Sequence, residues 1–177
     1  MNITIRQETP EDYKAVFKLI TAAFKEEVYS DHKEQFLVER LRKSDAFIPE
    51  LSLVAVSQNE IVGHILLTQI QIKNDSNTFP SLALAPVSVL PKYQRKGIGG
   101  QLIKKGHEIA KQLGHTSVIL LGHEGYYPKF GYQSTYQFDI TLPFDVPKEN
   151  CMAIELIKNS LHKVSGTVTY PKAFFED

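Results

Sequence analysis

The spacing of apolar and polar positions divides the first quarter of the chain into one strand and two helices. Residues 3–5 alternate between apolar and polar side chains, as in a short strand. Apolar residues then recur every three or four positions over 13–24, which predicts an amphipathic helix of about 15 residues that begins at the capping sequence 9–12. A second, more charged helix is predicted over 33–42. The residues of this helix expected to face the interior are Phe36, Leu37 and Leu41.

The rest of the chain combines short apolar runs with one long helical pattern. Strands are predicted over 51–56, 61–72 and 82–90, and the polar turn that separates the first two makes them a hairpin. Helical spacing over 98–113 predicts the next helix, with Gly114 in the usual place for a glycine C-cap. The remaining predicted elements are a strand over 117–121, a short helix or turn over 124–130, and strands over 132–142, 152–156 and 167–170.

This order of elements predicts one mixed α/β domain over residues 1–177, with a strand–helix–strand crossover in its middle. Pro86 lies inside the strand predicted over 82–90, where it has no N–H to donate to a neighbouring strand. A proline at such a place indicates either a bulge or an edge strand, and the residues alone leave both interpretations open.

Charge and cysteine content count against several classes of protein. The chain carries 20 basic and 20 acidic residues, whereas a nucleic-acid binder would ordinarily have a basic excess. Cys151 is the only cysteine, so no intrachain disulfide can form, and we expect it to be a small buried side chain in a reducing compartment. We find no signal-peptide pattern and no apolar stretch of about 18 residues. We therefore expect a cytoplasmic protein without a membrane span, whose core needs no metal.

The most informative stretch is the loop between the strand at 82–90 and the long helix. It carries glycines at 97, 99 and 100, which let the backbone approach a ligand closely and adopt positive φ. The free N–H groups and the positive dipole end of the following helix suit an anion such as a diphosphate. Arg95 and Lys96 add positive side chains to the same loop.

Two common glycine-loop motifs do not fit this stretch. A P-loop needs Gly-x-x-x-x-Gly-Lys-Ser/Thr, which is absent, and the dinucleotide fingerprint needs a third glycine where the chain has Leu102. The pattern Gln94-x-x-Gly97-x-Gly99 instead resembles the acetyl-CoA loop of the GNAT superfamily, Gln/Arg-x-x-Gly-x-Gly/Ala. In that family the loop follows a Val-x-Pro strand end and opens a helix, and both features are present here.

A second segment extends the resemblance. Tyr127-x-x-x-Gly131-Tyr132 is similar to the Tyr-x-x-x-Gly-Phe turn of the family, with Tyr132 in place of Phe. The adjacent Tyr126 and the later Val-Thr-Tyr-Pro-Lys-Ala-Phe at 168–174 resemble the YhbS-like bacterial branch of N-acetyltransferases. The order of elements agrees with the family along the whole chain.

The resemblance implies a GNAT fold, which is a mixed, mostly antiparallel twisted sheet of about six to seven strands, splayed in its middle and flanked by about four helices. It also implies that the pantetheine arm of acetyl-CoA lies in the splay like an additional strand, bonded to the backbone of Val87 and Val89. The residues expected to bind acetyl-CoA are Val87, Ser88, Val89, Gln94, Arg95, Lys96, Gly97, Ile98, Gly99, Gly100 and Tyr127.

The resemblance further implies that an amine attacks the acetyl thioester directly. Tyr127 lies four residues before Gly131, where many family members carry the tyrosine that protonates the leaving thiolate. Tyr126 is the alternative, because adjacent tyrosines leave the register open, and either ring could serve only for packing. His64 is a candidate base, although a lone histidine in an apolar strand is also typical of a buried core residue. The other candidates for a base are His123, Glu124, Glu26 and Glu27.

The acceptor remains open among small-molecule and peptide amines, since a net charge of zero favours neither acidic nor basic partners. Homodimers are common in the family. Three other functions are weighed against the enzyme: a non-catalytic acyl-CoA-binding sensor on the same fold, a protein that binds a mononucleotide phosphate in the loop, and an interaction protein without a ligand.

Overall fold

A computed structural model of the chain describes residues 1–176, which form a mixed, mostly antiparallel sheet with α-helices on both faces. The nine strands within this range are β1 (Thr4–Gln7), β2 (Ser52–Ser57), β3 (Glu60–Lys73), β4 (Thr78–Val89), β5 (Ser117–Leu121), β6 (Gln133–Ser134), β7 (Ile140–Thr141), β8 (Cys151–Glu155) and β9 (Gly166–Thr169). The three α-helices are α1 (Tyr13–Phe24), α2 (Glu34–Arg42) and α3 (Ile98–Gln112).

The strands lie in the order β1-β2-β3-β4-β5-β8-β6. Strand β9 extends the sheet by pairing with the far end of β3 and with β7. Neighbouring strands within residues 1–176 are antiparallel except for β4 with β5 and β7 with β9. The parallel pair β4–β5 is joined by α3, which is the crossover predicted from the order of elements.

Helices α1 and α2 cover one face of the sheet. Their buried apolar residues, three or four positions apart, pack against β2 and β3. The prediction that Phe36 faces the interior is wrong: 46% of it is exposed, and its ring packs edge-on against Phe17 of α1 with 5.3 Å between ring centroids. Helical geometry explains the difference, because Val38 and Leu41 form the buried stripe of α2 and Phe36 lies beside that stripe.

Helix α3 covers the opposite face. Its buried side chains, which include Ile98, Leu102 and Ile103, pack against alternate residues of β2 and β3. Gly114 follows the helix with φ at +90°, in the left-handed region where glycine carries no steric penalty, as the sequence predicted. The glycine-rich start of α3 is thereby held against the sheet.

The number of elements differs from the expectation of six to seven strands and about four helices. The fourth expected helix is a 3-10 turn over Tyr127–Phe130. The strand predicted over 132–142 is broken into the short strands β6 and β7 by another 3-10 turn over Thr135–Phe138, after which Asp139 adopts a left-handed conformation. Weak alternation in this segment therefore marked two short strands and a turn rather than one continuous strand.

A bulge in β4 and its separation from β5 open the middle of the sheet. Ile65 of β3 pairs with Val87, while Leu67 pairs with Leu84, so β4 has one residue more than β3 between these pairs. This confirms the bulge interpretation of Pro86. Strands β4 and β5 pair only at residues 82–83 of β4, so the end of β4 diverges from β5 and leaves a gap.

Candidate active site

A cleft of about 1580 Å³ opens where β4 and β5 separate. One wall is the end of β4 and the loop that leads into α3, and a second is the segment 121–130, which follows β5. The third wall comes from the end of α1, the loop after it and the start of α2. Three regions far apart in the chain therefore meet at the point where the sheet is open.

The glycine loop presents its backbone amides to this cleft. Arg95 and Gly97 both have positive φ, at 60° and 79°, which curves the loop before α3 begins at Ile98. Gln101 N–H donates to Gly97 C=O at 3.1 Å and so makes the first bond of the helical ladder. The amides of residues 98–100 precede that bond, so they are the free N–H groups of the first turn, at the positive end of the helix dipole.

The backbone of Val89 is also directed into the cleft. Leu90 N–H donates to Val62 C=O of β3 at 2.9 Å, and successive residues of an antiparallel strand direct their backbone groups to opposite sides. Val89 C=O accepts a hydrogen bond from the side-chain amide of Gln94 at 3.1 Å, so it faces the loop. By the same alternation, the N–H groups of Val87 and Val89 point into the gap between β4 and β5.

Tyr127 lies at the base of the cleft among aromatic rings. It is 9% exposed, and its ring makes edge contacts with Tyr126 and Tyr132, with 5.0 and 5.7 Å between ring centroids. Burial, and then the nearby Tyr126, raise the pKa of its hydroxyl well above the ordinary value, so the phenol keeps its proton at neutral pH. Tyr132, which replaces the usual Phe, bonds its hydroxyl to His107 Nε2 at 2.7 Å, and this bond satisfies the buried polar group.

Tyr126 lies closer to the glycine loop than Tyr127 does. A Cβ atom added to Gly99 would lie 3.3 Å from the Tyr126 hydroxyl oxygen. Lys129 Nζ lies 3.9 Å from the centroid of the Tyr126 ring and places a positive charge above it. The two adjacent tyrosines thus have different surroundings: the hydroxyl of one lies against the loop, and the ring of the other is enclosed beside β5.

His64 is placed away from the cleft, in a polar cluster between the sheet and α2. Its side chain is fully buried, with Nε2 3.2 Å from Ser52 Oγ and 3.7 Å from Glu8 Oε1. Burial, and then the charge of Arg42, lower the pKa of His64 to about 3. Arg42 forms an ion pair with Glu8, so the carboxylate does not hold a proton on the imidazole. The pairing of β3 with β4 places His64 opposite Ser88. The buried hydroxyl of Ser88 has no hydrogen-bond partner within residues 1–176.

Positive charge in the cleft is concentrated in one half. Arg95, Lys104 and Lys129, together with the single acidic residue Glu124, line the half formed by the glycine loop and the 121–130 segment. Glu27 and Glu34 line the half formed by α1 and α2. Glu34 Oε1 accepts a short hydrogen bond from Ser30 Oγ, while Oε2 is buried without a partner in the part of the chain that is described. One end of the cleft therefore suits an anion and the other a cation.

Most of the site residues named from the sequence lie together in this cleft. Its lining includes Val87, Ser88, Val89, Gln94, Arg95, Gly97, Ile98, Gly99, Gly100, Tyr126 and Tyr127, and also His123, Glu124 and Glu27. Lys96, Glu26 and His64 do not belong to that lining. Lys96 instead directs its Nζ to the Tyr93 ring, 5.1 Å from the centroid.

Lys104, Glu34 and Asn150 are among the polar lining residues that sequence reasoning missed. Lys104 could have been found, because it is four positions after Gly100 and so shares its face of α3. Glu34 lies in the first turn of α2, but nothing in the sequence shows that this turn faces the loop. Asn150 precedes β8, and only the pairing of β8 with β5 brings it to the cleft.

The described residues hold neither a cluster of metal ligands nor a helix that could cross a membrane. No group of three or more His, Cys, Asp or Glu side chains in 1–176 is arranged to hold a metal ion. None of the helices in the same range combines the length and the apolar character that a membrane crossing requires. Cys151 is buried at the start of β8, as the sequence predicted.

The amino-acid sequence matches one protein family over most of its length. Residues 4–135 match the family described as Acetyltransferase (GNAT) domain. The match covers more than half of the 177 residues, and the chain therefore belongs to the GNAT acetyltransferase family. This confirms the resemblance found in the glycine loop and in the Tyr-x-x-x-Gly segment.

Two curated relatives come from Escherichia coli K12. The uncharacterized N-acetyltransferase YjhQ is 36% identical over 119 residues, which are 67% of this chain and 66% of YjhQ. The match to YjhQ thus spans slightly less than two thirds of its length. The uncharacterized N-acetyltransferase YhbS is 25% identical over 171 residues, which are 96% of this chain and 97% of YhbS. The YhbS-like branch inferred from the sequence is in agreement with the second match.

Two solved structures are similar over almost the whole chain. Escherichia coli YhbS in complex with CoA has a TM-score of 0.89 at 22% identity, covering 99% of this chain and 93% of that one. A GNAT family acetyltransferase from Brucella melitensis in complex with acetyl-CoA has a TM-score of 0.80 at 31% identity, covering 98% of both chains. The fold is thus the GNAT fold.

Proposed function

We propose that the protein is an N-acetyltransferase that transfers the acetyl group of acetyl-CoA to an amine by direct attack. The observation that carries the proposal is the convergence, in one cleft, of the free amides of residues 98–100, the backbone N–H of Val89 and the buried phenol of Tyr127. Two similar solved proteins bind CoA or acetyl-CoA.

The glycine-loop half of the cleft fits the anionic part of acetyl-CoA. The first-turn amides of α3 suit the diphosphate, and Arg95, Lys104 and Lys129 add positive charge around it. The N–H groups of Val87 and Val89 suit the amide carbonyls of the pantetheine arm, because they point into the gap in the sheet. This arrangement directs the thioester toward Tyr127.

The reaction forms one bond, breaks one and moves protons away from the nitrogen and onto the sulfur. The amine nitrogen bonds to the thioester carbonyl carbon, and the C–S bond breaks to release CoA as a thiolate. A backbone N–H group of β4, that of Val89 or of a neighbour that is not bonded to the pantetheine arm, stabilises the carbonyl oxygen as it gains charge. Tyr127 donates its proton to the leaving sulfur and regains one from solvent, while the attacking nitrogen loses a proton to water or to a base.

The acidic half of the cleft suits an amine that arrives as an ammonium ion. A lysine-like amine has a pKa of about 10.4 and is almost entirely protonated at neutral pH, so it must be deprotonated after binding. Glu27 and Glu34 provide negative charge at this end. His64 is not assigned as the base, because it lies outside the cleft and burial keeps its pKa at about 3. The acceptor class is a small-molecule or peptide amine.

The test compares Tyr127→Phe with Tyr136→Phe, a half-exposed tyrosine outside the cleft that serves as the matched control. We expect acetyl-CoA to stabilise both variants as it does the wild type, by about 2.7 kcal/mol at 100 times the dissociation constant. Turnover with an amine panel, followed by thiol release, should fall by roughly 10²- to 10⁴-fold in Tyr127→Phe alone. Full turnover in this variant would remove Tyr127 from the mechanism, and the Tyr126→Phe variant would then identify the alternative acid.

The alternative of a non-catalytic acyl-CoA sensor is not favoured, because the curated relatives carry N-acetyltransferase names. It would be supported by stabilisation with acetyl-CoA and no turnover with any amine. If ATP raised the melting temperature and acetyl-CoA did not, the loop would instead hold a mononucleotide. Without a shift from either compound, the protein would belong to the class of interaction proteins.

A further inference from the structure

The ring of Tyr127 lies directly on the backbone of Gly122. A Cβ atom built on Gly122 would lie 2.6 Å from Cδ2 of Tyr127 and closer still to Cε2. Real Cβ atoms essentially never approach a carbon this closely, so the ring occupies the space that any other residue at 122 would need. Gly122 is thus required at this position for its missing side chain, since its φ is not in the left-handed region.

Gly122 is fixed in turn by Asn150. The Gly122 N–H donates to the Asn150 C=O at 2.9 Å, and the Asn150 side-chain Nδ2 donates to the Gly122 C=O at 2.9 Å. The backbone bond continues the β5–β8 ladder one residue beyond the pair Leu121–Cys151, and the side-chain bond gives the Gly122 C=O a partner. Gly122 follows the last residue of β5, on the side where β4 has already separated from it. The side-chain bond from Asn150 therefore holds a backbone segment that has lost its other neighbour in the sheet.

The remaining sides of the Tyr127 ring contact other aromatic rings. Tyr126 and Tyr132 pack against it nearly perpendicular, with interplanar angles of 89° and 77°. Tyr132 is held in place by its bond to His107. The Tyr127 hydroxyl itself makes no hydrogen bond to residues 1–176, so its position depends on the groups that surround the ring.

We propose that Asn150 is a positioning residue for Tyr127. By holding the carbonyl group of Gly122, it fixes the surface against which the phenol ring rests and hence the place of the hydroxyl in the cleft. The inference rests on the proposed function, in which that hydroxyl donates its proton to the leaving sulfur. A displacement of about 1 Å in such a group costs up to 10²-fold in rate.

Two variants disturb the surface that Gly122 offers to the Tyr127 ring. Asn150→Ala deletes the side-chain donor, and Gly122→Ala places a methyl group where the ring lies. The matched control is Asn74→Ala, because Asn74 Nδ2 makes the same kind of bond, to Ser165 C=O at 2.9 Å, far from the cleft. If one of the two variants does not fold, the other still tests the proposal.

The kinetic test uses each variant in the wild-type and in the Tyr127→Phe background. We expect Asn150→Ala to lower kcat about ten- to 100-fold, with the dissociation constant of CoA nearly unchanged, and to have little further effect once Tyr127 is Phe. Asn74→Ala should leave kcat unchanged in both backgrounds. An equal loss of kcat in both backgrounds, or no loss at all, would overturn the proposal.

A second readout does not need turnover. The chain has eight tyrosines, so fluorotyrosine labelling gives few ¹⁹F resonances, and Tyr127→Phe assigns the one of interest. We expect Asn150→Ala to shift or broaden the Tyr127 resonance and Asn74→Ala to leave it unchanged. An unmoved Tyr127 resonance in Asn150→Ala would refute the positioning role. If the wild-type protein does not bind CoA, or shows no turnover with any amine, the proposed function itself is refuted.

Discussion

Replacing Gly97 with alanine tests whether the left-handed geometry of the loop is needed to hold CoA. Gly97 has φ at +79°, and a Cβ atom added there would meet nothing within 4 Å. Any effect of the methyl group must therefore come from the backbone conformation and not from a clash. For an L-residue the left-handed conformation costs roughly 1–2 kcal/mol.

If the free variant keeps the left-handed loop, this cost lowers its free energy of unfolding. If the loop relaxes instead, the cost appears as a weaker affinity for CoA. The CoA complex needs the amides of residues 98–100 in place, so the two losses together should equal the full cost of about 1–2 kcal/mol. Gly125→Ala is the matched control, because Gly125 also lines the cleft, has no Cβ neighbour within 4 Å and does not have positive φ. For Gly125→Ala, the loss of stability and the loss of affinity for CoA should add up to about zero, or to a gain of up to about 1 kcal/mol.

The assay is urea unfolding of the free variants together with calorimetric titration of CoA. The change in the free energy of unfolding and the change in the binding free energy are added for each variant. We expect the sum for Gly97→Ala to be less favourable than that for Gly125→Ala by about 2 kcal/mol, from the two magnitudes above. Equal sums would show that the left-handed residue is unnecessary for binding, and the assignment of the diphosphate to this loop would fail.

Two further predictions concern His64 and the acidic end of the cleft. The pKa of His64 falls from 6.5 to about 3 on folding, so the unfolded chain binds more protons between these values and stability is lost as the pH falls through this window. We expect the free energy of unfolding of the wild type, measured by urea unfolding, to fall by about 2 kcal/mol more between pH 7 and pH 5 than that of His64→Leu. An equal fall in both proteins would contradict a buried neutral imidazole. Glu34→Gln should raise KM for a cationic amine several-fold and leave the affinity for CoA unchanged. The control is Glu39→Gln, at an exposed position on the same helix, which should not change KM. Equal KM values in the two variants would exclude Glu34 from the acceptor site.

The elements that carry the cofactor proposal could be predicted because their signals are local. The spacing Gln94-x-x-Gly97-x-Gly99 marks a loop before a helix, and apolar periodicity marks the helix itself. Pro86 indicated a bulge or an edge strand, because a proline cannot donate within a strand, and the structure has the bulge. Each of these inferences depends on a residue and its immediate neighbours in the chain, and the structure agrees with each of them.

The places where prediction and structure differ depend on packing. Phe36 has the apolar character of a core residue, yet it lies beside the buried stripe of α2, where its half-exposed ring packs edge-on against Phe17. The segment 132–142 has strand-like alternation, but the turn at Thr135–Phe138 interrupts it. Hydrophobic pattern limits which residues can be buried, while neighbouring elements decide which of them are.

The sequence by itself determined the crossover and the glycine loop, because backbone preferences and side-chain periodicity act over a few residues. The family followed from the resemblance of the glycine loop and the Tyr-x-x-x-Gly segment to motifs of the GNAT superfamily. Only the tertiary structure decided which side chains share the cleft. The order of strands brings Asn150 to Gly122, and with it the surface on which Tyr127 rests. The same order places His64 in a closed cluster with Glu8 and Arg42. These contacts join residues far apart in the chain, and their strength comes from burial, which no local stretch of sequence encodes.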